Sequence, residues 1–374
     1  MSTTLREIMD IMEEIAPAHL AEGWDQTGLA VGNPAQEIKK ILVALDVIAP
    51  VIDEAIDAKA DLILTHHPML LFQKIQSIRT DDGLGSRLYG LIQHNIAAFS
   101  AHTNLDIAAG GTNDILAELA GLEEISLLEE TTAQTLHKIV TYVPTSHEAA
   151  VRQAMCDAGA GQVGGYSHCT FASDGTGTFL PLEGAKPFLG EVGRLEEAKE
   201  ARLETIVPAE RTAAVVAAMK ATHPYEEVAY DIYAVEQKGR IDGIGRVGKR
   251  KESVSFAEFA EELREKLGLT HIRLVGDGKK QVQRVALCTG SGAGYIETAH
   301  KAGADVYLTG DIKYHEAQRA IELGLCVVDV THYASEALVV PVLKEVLDRK
   351  LAERGKKDIE VVCSTVDGQT FWEL

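Results

Sequence analysis

The segment Asp61-Leu-Ile-Leu-Thr-His-His-Pro68 predicts a short buried strand over residues 62–64 that ends in two adjacent histidines. Side chains alternate along a strand, so neighbouring histidines normally point to opposite faces. Where the strand ends the backbone can turn, and both imidazoles can then border one crevice. Ligand sites in α/β sheets usually form at the carboxyl ends of strands. The pair is therefore a candidate metal site, with a solvated or hydrogen-bonded pair as the alternative.

The sequence around this segment predicts an α/β unit. Apolar strands over residues 41–45 and 62–64 are separated by a helix over residues 50–59, which makes a βαβ unit. A second helix over residues 85–94 leads to a strand over residues 96–100. Three strands with helical connections favour a parallel sheet whose carboxyl ends share one edge.

The composition is typical of a folded protein of two or three domains. The chain has 374 residues, of which 46% are hydrophobic and 25% charged. The 36 basic and 56 acidic residues give a net charge of −20, which argues against a nucleic-acid or anionic-membrane partner. No apolar run of about 18 residues is present, so the sequence predicts no transmembrane helix.

The cysteines and the N-terminal residues indicate a cytoplasmic protein. The five cysteines are scattered and form no CxxC pair, which argues against a disulfide framework or a thiolate zinc site. Residues 1–6 lack a basic-then-apolar signal pattern, and the apolar spacing that follows predicts a helix.

The sequence pattern changes at about residue 129. Residues 138–144 match residues 202–208 at an offset of 64, and each copy predicts a strand, a proline turn and an Ala-rich helix. With further strands near residues 168–172 and 228–235, the repeat predicts a ferredoxin-like domain built as a split βαβ.

A second internal match joins the segments on either side of that domain. Residues 58–65 align with residues 302–309 at an offset of 244, so His66-His67 corresponds to Gly310-Asp311. Downstream, two segments share the spacing of a histidine followed four residues later by an acid. The two segments therefore predict similar α/β halves, related by a pseudo-twofold axis that brings their strand ends together.

The residues that carry the shared spacing supply the rest of a metal site. His102-Thr-Asn-Leu-Asp106 and His332-Tyr-Ala-Ser-Glu336 each follow an apolar strand. In a helix after Thr331, His332 and Glu336 would share one face. The candidate ligands, all near strand ends, are His66, His67, Asp106, His332 and Glu336.

Three imidazoles and two carboxylates suit two divalent cations. Zinc is the first choice, and iron and manganese are alternatives. Glu336 is the predicted bridge between the two ions. His102 is assigned outside the ligand set, as the catalytic residue that transfers a proton or orients Asp106. A buried histidine bonded to its own turn is the alternative for His102, and polar strand-end residues without metal are the alternative for the set.

Three other segments have weaker signals. Gly243-Ile-Gly-Arg-Val-Gly248 fits the GxGxxG pattern, but no strand-to-helix turn is predicted around it, so we reject a dinucleotide site. Thr289-Gly-Ser-Gly-Ala-Gly294 precedes a predicted helix and is either a phosphate-binding loop or a tight turn. Asp25 lies in a Gly-rich turn and is interpreted as structural, and residues 223–227 are interpreted as a loop into a strand.

Taken together, these motifs resemble the GTP cyclohydrolase 1 type 2 family, also called the NGG-interacting-factor-three-like family. The matching motifs span both segments outside the repeat: Trp24-Asp-Gln-Thr-Gly-Leu-Ala-Val-Gly32, Leu64-Thr-His-His-Pro68, His102-Thr-Asn-Leu-Asp106, Thr309-Gly-Asp-Ile-Lys-Tyr-His315 and His332-Tyr-Ala-Ser-Glu336. The resemblance implies a dinuclear metal centre on the same five ligands, a homohexamer, and a PII-like insert where the repeat lies. Thr331 departs from the pattern, because the family commonly has glycine there.

The sequence thus predicts an α/β protein of two similar halves that form one metal-binding unit, interrupted by an α+β insert. The halves comprise residues 1–128 and 238–374, and the ferredoxin-like, PII-like insert comprises residues 129–237. The first functional hypothesis is a metal-dependent hydrolase of a nucleotide or phosphorylated small molecule, with GTP ring opening as the version that the resemblance implies. The alternative is a non-catalytic adaptor that senses metal or a ligand through the insert.

Overall fold

The computed structural model describes residues 2–71, 75 and 77–371, and it divides the chain into two compact units. Unit 1 comprises Met1–Thr131 and Asp242–Leu374, and unit 2 comprises Thr132–Ile241. The sequence predicts limits of 129 and 237 for the insert. Two long strands, β5 (Leu122–Pro144) and β8 (Tyr230–Ser255), carry the chain from one unit to the other.

The remaining elements follow in chain order. The helices are α1 (Leu5–Ile15), α2 (Ala49–Asp57), α3 (Gly83–Gln93), α4 (Thr103–Ile107), α5 (Thr112–Leu119), α6 (Glu148–Asp157), α7 (Thr212–Thr222), α8 (Phe256–Lys266), α9 (Ile296–Lys301), α10 (Tyr314–Glu322), α11 (His332–Glu336) and α12 (Val339–Glu353). The other strands are β1 (Gly28–Val31), β2 (Lys40–Ala44), β3 (Leu62–Thr65), β4 (Ala97–Ser100), β6 (Thr170–Phe179), β7 (Glu196–Pro208), β9 (Arg273–Val275), β10 (Gln281–Leu287), β11 (Val306–Thr309), β12 (Cys326–Asp329) and β13 (Glu360–Cys363). Short 3-10 helices cover Ala18–Leu20, Ala209–Arg211 and Ala293–Tyr295.

The first sheet of unit 1 has the order β1-β4-β3-β2-β13. Strands β13, β2, β3 and β4 are parallel, and β1 runs antiparallel at the edge. All four residues of β3 are buried, as expected for an apolar strand covered on both faces. Thr65 lies opposite both Ala44 and Ser100, so the residues that follow β2, β3 and β4 meet at one edge.

A second set of strands in unit 1 repeats this arrangement. Strands β10, β11 and β12 are parallel, and β9 runs antiparallel beside β12 as β1 does beside β4. Thr309 lies opposite Asp329, which places Asp311 and His332 just beyond the same sheet edge. Strands β3 and β11 occupy the segments that the offset of 244 aligned.

Arg246 lies in β8 opposite Leu287, the last residue of β10, and its sequence context gave no sign of a structural role. Its buried guanidinium pairs with Asp114 of α5 and donates to backbone carbonyls at the end of α4 and in its own strand. Because the glycines around Arg246 lie within β8, the GxGxxG pattern is part of a strand. The rejection of a dinucleotide site there agrees with this position.

Unit 2 has the element order β5, α6, β6, β7, α7, β8. Strand β7 pairs antiparallel with both β5 and β6. The two helices of the 64-residue repeat supply matched core residues, since Val151 and Met155 of α6 and Val215 and Met219 of α7 are all fully buried in one cluster. The repeat therefore reflects two helices that fill one core.

Among the described residues, no helix has the length and apolar character needed to cross a membrane.

Removing unit 2 should leave unit 1 folded. The two chain ends of such a deletion lie together, because the Thr131 hydroxyl donates to the Asp242 carbonyl oxygen at 3.3 Å. We expect a variant with residues 132–241 replaced by a short Gly-Ser linker to unfold cooperatively in a thermal melt and to retain the metal content of the full chain. A variant that fails to fold or to bind metal would show that unit 2 is integral to unit 1.

Candidate metal centre

The two adjacent histidines turn into one cluster after β3. The His67 backbone N–H donates to the Leu45 carbonyl oxygen at 2.9 Å, and the Thr65 hydroxyl donates to the His67 carbonyl oxygen at 2.9 Å. These bonds end the strand and redirect the chain. The two imidazole centroids then lie 5.0 Å apart. The turn therefore places both rings in one cluster, as the sequence led us to expect.

The other half of the cluster depends on an unusual backbone at Thr331. Its φ is +73°, a region that glycine adopts freely and that costs a β-branched residue about 1–3 kcal/mol. This conformation explains why a glycine would suit the position. Thr331 is held there because its N–H donates to Asp329 and its hydroxyl accepts from the Ala334 N–H. Helix α11 follows, with His332 and Glu336 four residues apart on one face.

Four imidazoles are oriented in the same way, each through its Nδ1 atom. The acceptors lie at 2.8–2.9 Å and are Ala101 O for His66, Asp46 for His67, Asp25 for His102 and Asp311 for His332. A histidine that ligates a metal through Nε2 typically donates its other ring N–H to a carboxylate or carbonyl oxygen. The hydrogen bonds of all four rings therefore suit ligation through Nε2.

Glu336 lies between two groups of histidines. His66 and His67 follow β3, and His332 follows β12. One carboxylate oxygen is 2.8 Å from His67 Nε2 and 3.0 Å from His332 Nε2, while the other is 3.8 Å from His66 Nε2. His66 Nε2 is also 3.5 Å from Asp106. Glu336 thus belongs to two groups with metal-ligand spacing, one with His67 and His332 and one with His66 and Asp106. This position supports its predicted role as a bridge.

The donor set fits divalent cations. His66 is fully buried, and its Nε2 atom has no hydrogen-bond partner among the described residues. A buried polar atom without a partner costs about 1–3 kcal/mol, and metal coordination would remove that cost. Imidazole nitrogens with carboxylate oxygens suit zinc, iron and manganese.

His102 lies closer to the candidate ligands than the sequence analysis placed it. Its donor atom forms a third group with His66 and His67, and the three donors lie within 4.8 Å of one another. The ring centroids of His102 and His66 are 5.2 Å apart. His102 therefore becomes a sixth candidate ligand. The sequence could not show that His102 lies beside His66. Their closeness depends on the pairing of β3 with β4, which sets Thr65 opposite Ser100.

Three aspartates were missed as partners of the histidines. Asp25, interpreted as a turn residue, also accepts from the N–H and hydroxyl of Thr103. Burial raises the pKa of Asp25, but hydrogen bonds from His102 and Thr103 outweigh it and hold the pKa at about 2. Asp46 and Asp311 follow strands β2 and β11, so their positions at strand ends were the signal that could have identified them.

The carboxylates also hold protons on the imidazoles. Burial lowers the pKa of His67, but hydrogen bonds to Asp46 and Glu336 raise it to about 10. Glu336 and Asp311 likewise outweigh burial at His332 and raise its pKa to about 9. Burial raises the pKa of Glu336, yet the surrounding histidines keep it well below its usual range. A bound cation would replace these imidazole protons.

The Gly-rich segment after β10 forms a wall of this site. A Cβ on Gly290, whose φ is +67°, would lie 2.2 Å from a Glu336 carboxylate oxygen. The N–H groups of Gly290 and Gly292 donate to Ser335 and Thr309. Because these donors are already used, the geometry favours the tight turn over the phosphate-binding loop.

This chain is similar in sequence and in fold to known proteins of one family. The family model described as Duf34/NIF3 (NGG1p interacting factor 3) matches residues 3–369. A Bacillus subtilis protein named GTP cyclohydrolase 1 type 2 homolog is 46% identical over 369 residues, which cover 98% of this chain and 97% of that protein. The crystal structure of a Bacillus cereus protein related to NIF3 is 39% identical, covers 100% of both chains and superposes with a TM-score of 0.92. A Staphylococcus aureus structure is 29% identical and covers 100% of this chain and 99% of that one, with a TM-score of 0.83.

Glu336 should matter more for metal content than Asp106. Glu336 belongs to two of the three donor groups and Asp106 to one. We expect elemental analysis to find about two divalent ions per wild-type chain, a larger loss in Glu336→Ala and a smaller loss in Asp106→Ala. Equal occupancy in the two variants would remove the bridging assignment.

Gly290 should be required for the Glu336 carboxylate to keep its position in the cluster. In Gly290→Ala the new methyl group would overlap the carboxylate, so we expect metal content and melting temperature to fall. Gly294→Ala is the matched control, because a Cβ there has no described atom within 4 Å. Wild-type metal content in Gly290→Ala would show that Glu336 can bind from another position.

Proposed function

The chain belongs to the Duf34/NIF3 family, and on this basis we propose that it is a dinuclear metal hydrolase of a nucleotide or a related phosphorylated small molecule. The observation that carries the proposal is the shared orientation of His66, His67, His102 and His332, whose Nδ1 atoms are all hydrogen-bonded. Such an arrangement presents four Nε2 atoms to one cluster that also contains Asp106 and Glu336.

Each residue of the cluster has a role in this proposal. Two divalent cations, with zinc as the first choice, would supply Lewis acidity and activate water for hydrolysis. Glu336 would hold both ions, and Asp25, Asp46 and Asp311 would fix the imidazoles. The short separation of His102 from His66 and His67 supports ligation by His102 over the proton-transfer role first assigned to it.

The substrate class comes from the relatives. The Bacillus subtilis relative is named a GTP cyclohydrolase 1 type 2 homolog, so ring opening of GTP is the specific reaction to test first. We extend the proposal to a homohexamer, as the resemblance implies, and to a cytoplasmic location, as the scattered cysteines suggest. We also propose that the two α/β halves are diverged copies. The element order of unit 2 supports a ferredoxin-like, PII-like insert, because it is the order of a split βαβ domain.

A second candidate function is a non-catalytic sensor of metal or ligand. A cavity in unit 2, lined by Phe179, Phe188 and Tyr225 among others, supports this candidate because a sensor needs a ligand site besides its metal centre. In a sensor the metal site would be closed, whereas a catalyst keeps a coordination position open for substrate.

A hydrolysis screen with and without chelator separates the two candidates. Metal-loaded protein should convert GTP or another nucleotide, and chelation or the substitution Glu336→Ala should abolish turnover. His102→Gln should lose about one ion per chain together with activity, because His102 is now assigned as a ligand. Full metal content without turnover of any nucleotide would favour the sensor. Retained metal with lowered turnover in His102→Gln would restore its proton-transfer role.

A further inference from the structure

Unit 2 contains a cavity of about 770 Å³ that the metal chemistry does not use. This volume falls within the range of about 300–1,000 Å³ that is typical of small-molecule sites. The lining comes from the end of β6 and the loop after it, from β7, and from the loop between α7 and β8. The last of these loops is the polar segment of residues 223–227, to which the sequence analysis gave no role.

Aromatic rings form one side of the cavity. The Tyr225 ring centroid is 5.8 Å from that of Phe179 and 6.3 Å from that of Phe188, and His147 packs edge-on against Phe188 at 5.3 Å. Phe188 remains 47% exposed. Clustered aromatic rings beside one space are the side chains that proteins use to hold a cation, through the negative potential of their faces.

A buried carboxylate is built into the same wall. Glu200 is 7% exposed and accepts a hydrogen bond from the Tyr225 hydroxyl at 2.7 Å. Its second oxygen lies over Gly177, where an added Cβ would be only 2.0 Å away. His223 fixes this side of the wall, because its ring accepts from the Tyr225 N–H and donates to the Tyr142 carbonyl oxygen.

The charges that line the cavity are mainly negative. The lining includes four carboxylates and one guanidinium: Asp174, Glu200, Glu226, Glu227 and Arg202. The guanidinium of Arg202 is paired with Glu204, which reduces its effect on the cavity. A cleft of one sign raises the local concentration of oppositely charged ligands. The lining therefore opposes nucleotides and other phosphates and favours cations.

We infer that this cavity binds an organic cation, a small molecule with an apolar or aromatic body and a protonated amine or quaternary ammonium group. The apolar body would fill the space between Phe179, Phe188 and Tyr225, and the ammonium group would lie against the Glu200 carboxylate. All the lining residues of this site belong to unit 2, whereas the candidate metal ligands belong to unit 1.

Three probes with the same aromatic body and different charge test the inference: naphthylmethylamine, naphthylmethanol and naphthoate. Calorimetric titration of the full chain should show the amine binding at least about tenfold more tightly than the carboxylate, a difference of about 1.4 kcal/mol. Chelator treatment should leave this affinity unchanged. Tighter binding of naphthoate or of adenosine triphosphate, or saturation by none of the probes up to about 1 mM, would overturn the inference.

Substitutions in the cavity wall locate the binding. Glu200→Gln keeps the shape of the side chain and removes its charge, so it should abolish the preference for the amine over naphthylmethanol. Gly177→Ala should weaken amine binding because the new methyl group displaces the carboxylate. Gly175→Ala on the same strand is the matched control, since its Cβ would be in ordinary contact at 3.9 Å. Equal amine affinity in Gly177→Ala and Gly175→Ala, with both variants folded by thermal melting, would place the binding elsewhere.

Discussion

Unit 1 depends on one buried carboxylate that faces imidazoles from both of its sheets. Glu336 is 4% exposed and lies within hydrogen-bond distance of His67 and His332. A buried charge without a partner costs several kcal/mol, so the two sheets must bring their strand ends together around it. Because Gly290 has no side chain, the Glu336 carboxylate can occupy the space beside it. The fold and the candidate site are therefore two consequences of the same packing.

Strand register is what brings these groups together. Thr65 lies opposite Ser100, and Thr309 lies opposite Asp329, so His66, His102, Asp311 and His332 all emerge at sheet edges of unit 1. A shift by one residue would turn every side chain of a strand to the other face and separate these donors. Unit 2 contributes none of them, and its cavity has a different chemistry, with aromatic side chains beside carboxylates.

Several strands and helices and most of the candidate ligands could be predicted from local patterns. Apolar runs bounded by turn residues predicted β2, β3 and β4 to within about two residues, because buried parallel strands are continuous apolar segments. The spacing of His332 and Glu336 predicted their shared helix face. Local patterns could not predict that His102 is a candidate ligand. Its distance from His66 is set by the pairing of β3 with β4, whose ends are about 35 residues apart in the chain.

The sequence by itself determined the types of donor, their positions after apolar strands, and the repeat that builds unit 2. These features depend on residue chemistry and on periodicities of a few residues, which a single chain displays directly. Only the tertiary structure decided that Asp25, Asp46 and Asp311 orient three imidazoles, that Glu336 is shared by two donor groups, and that Glu200 lies over Gly177. Each of these contacts joins segments distant in sequence, and their distances are set by strand pairing and core packing, which no local pattern encodes.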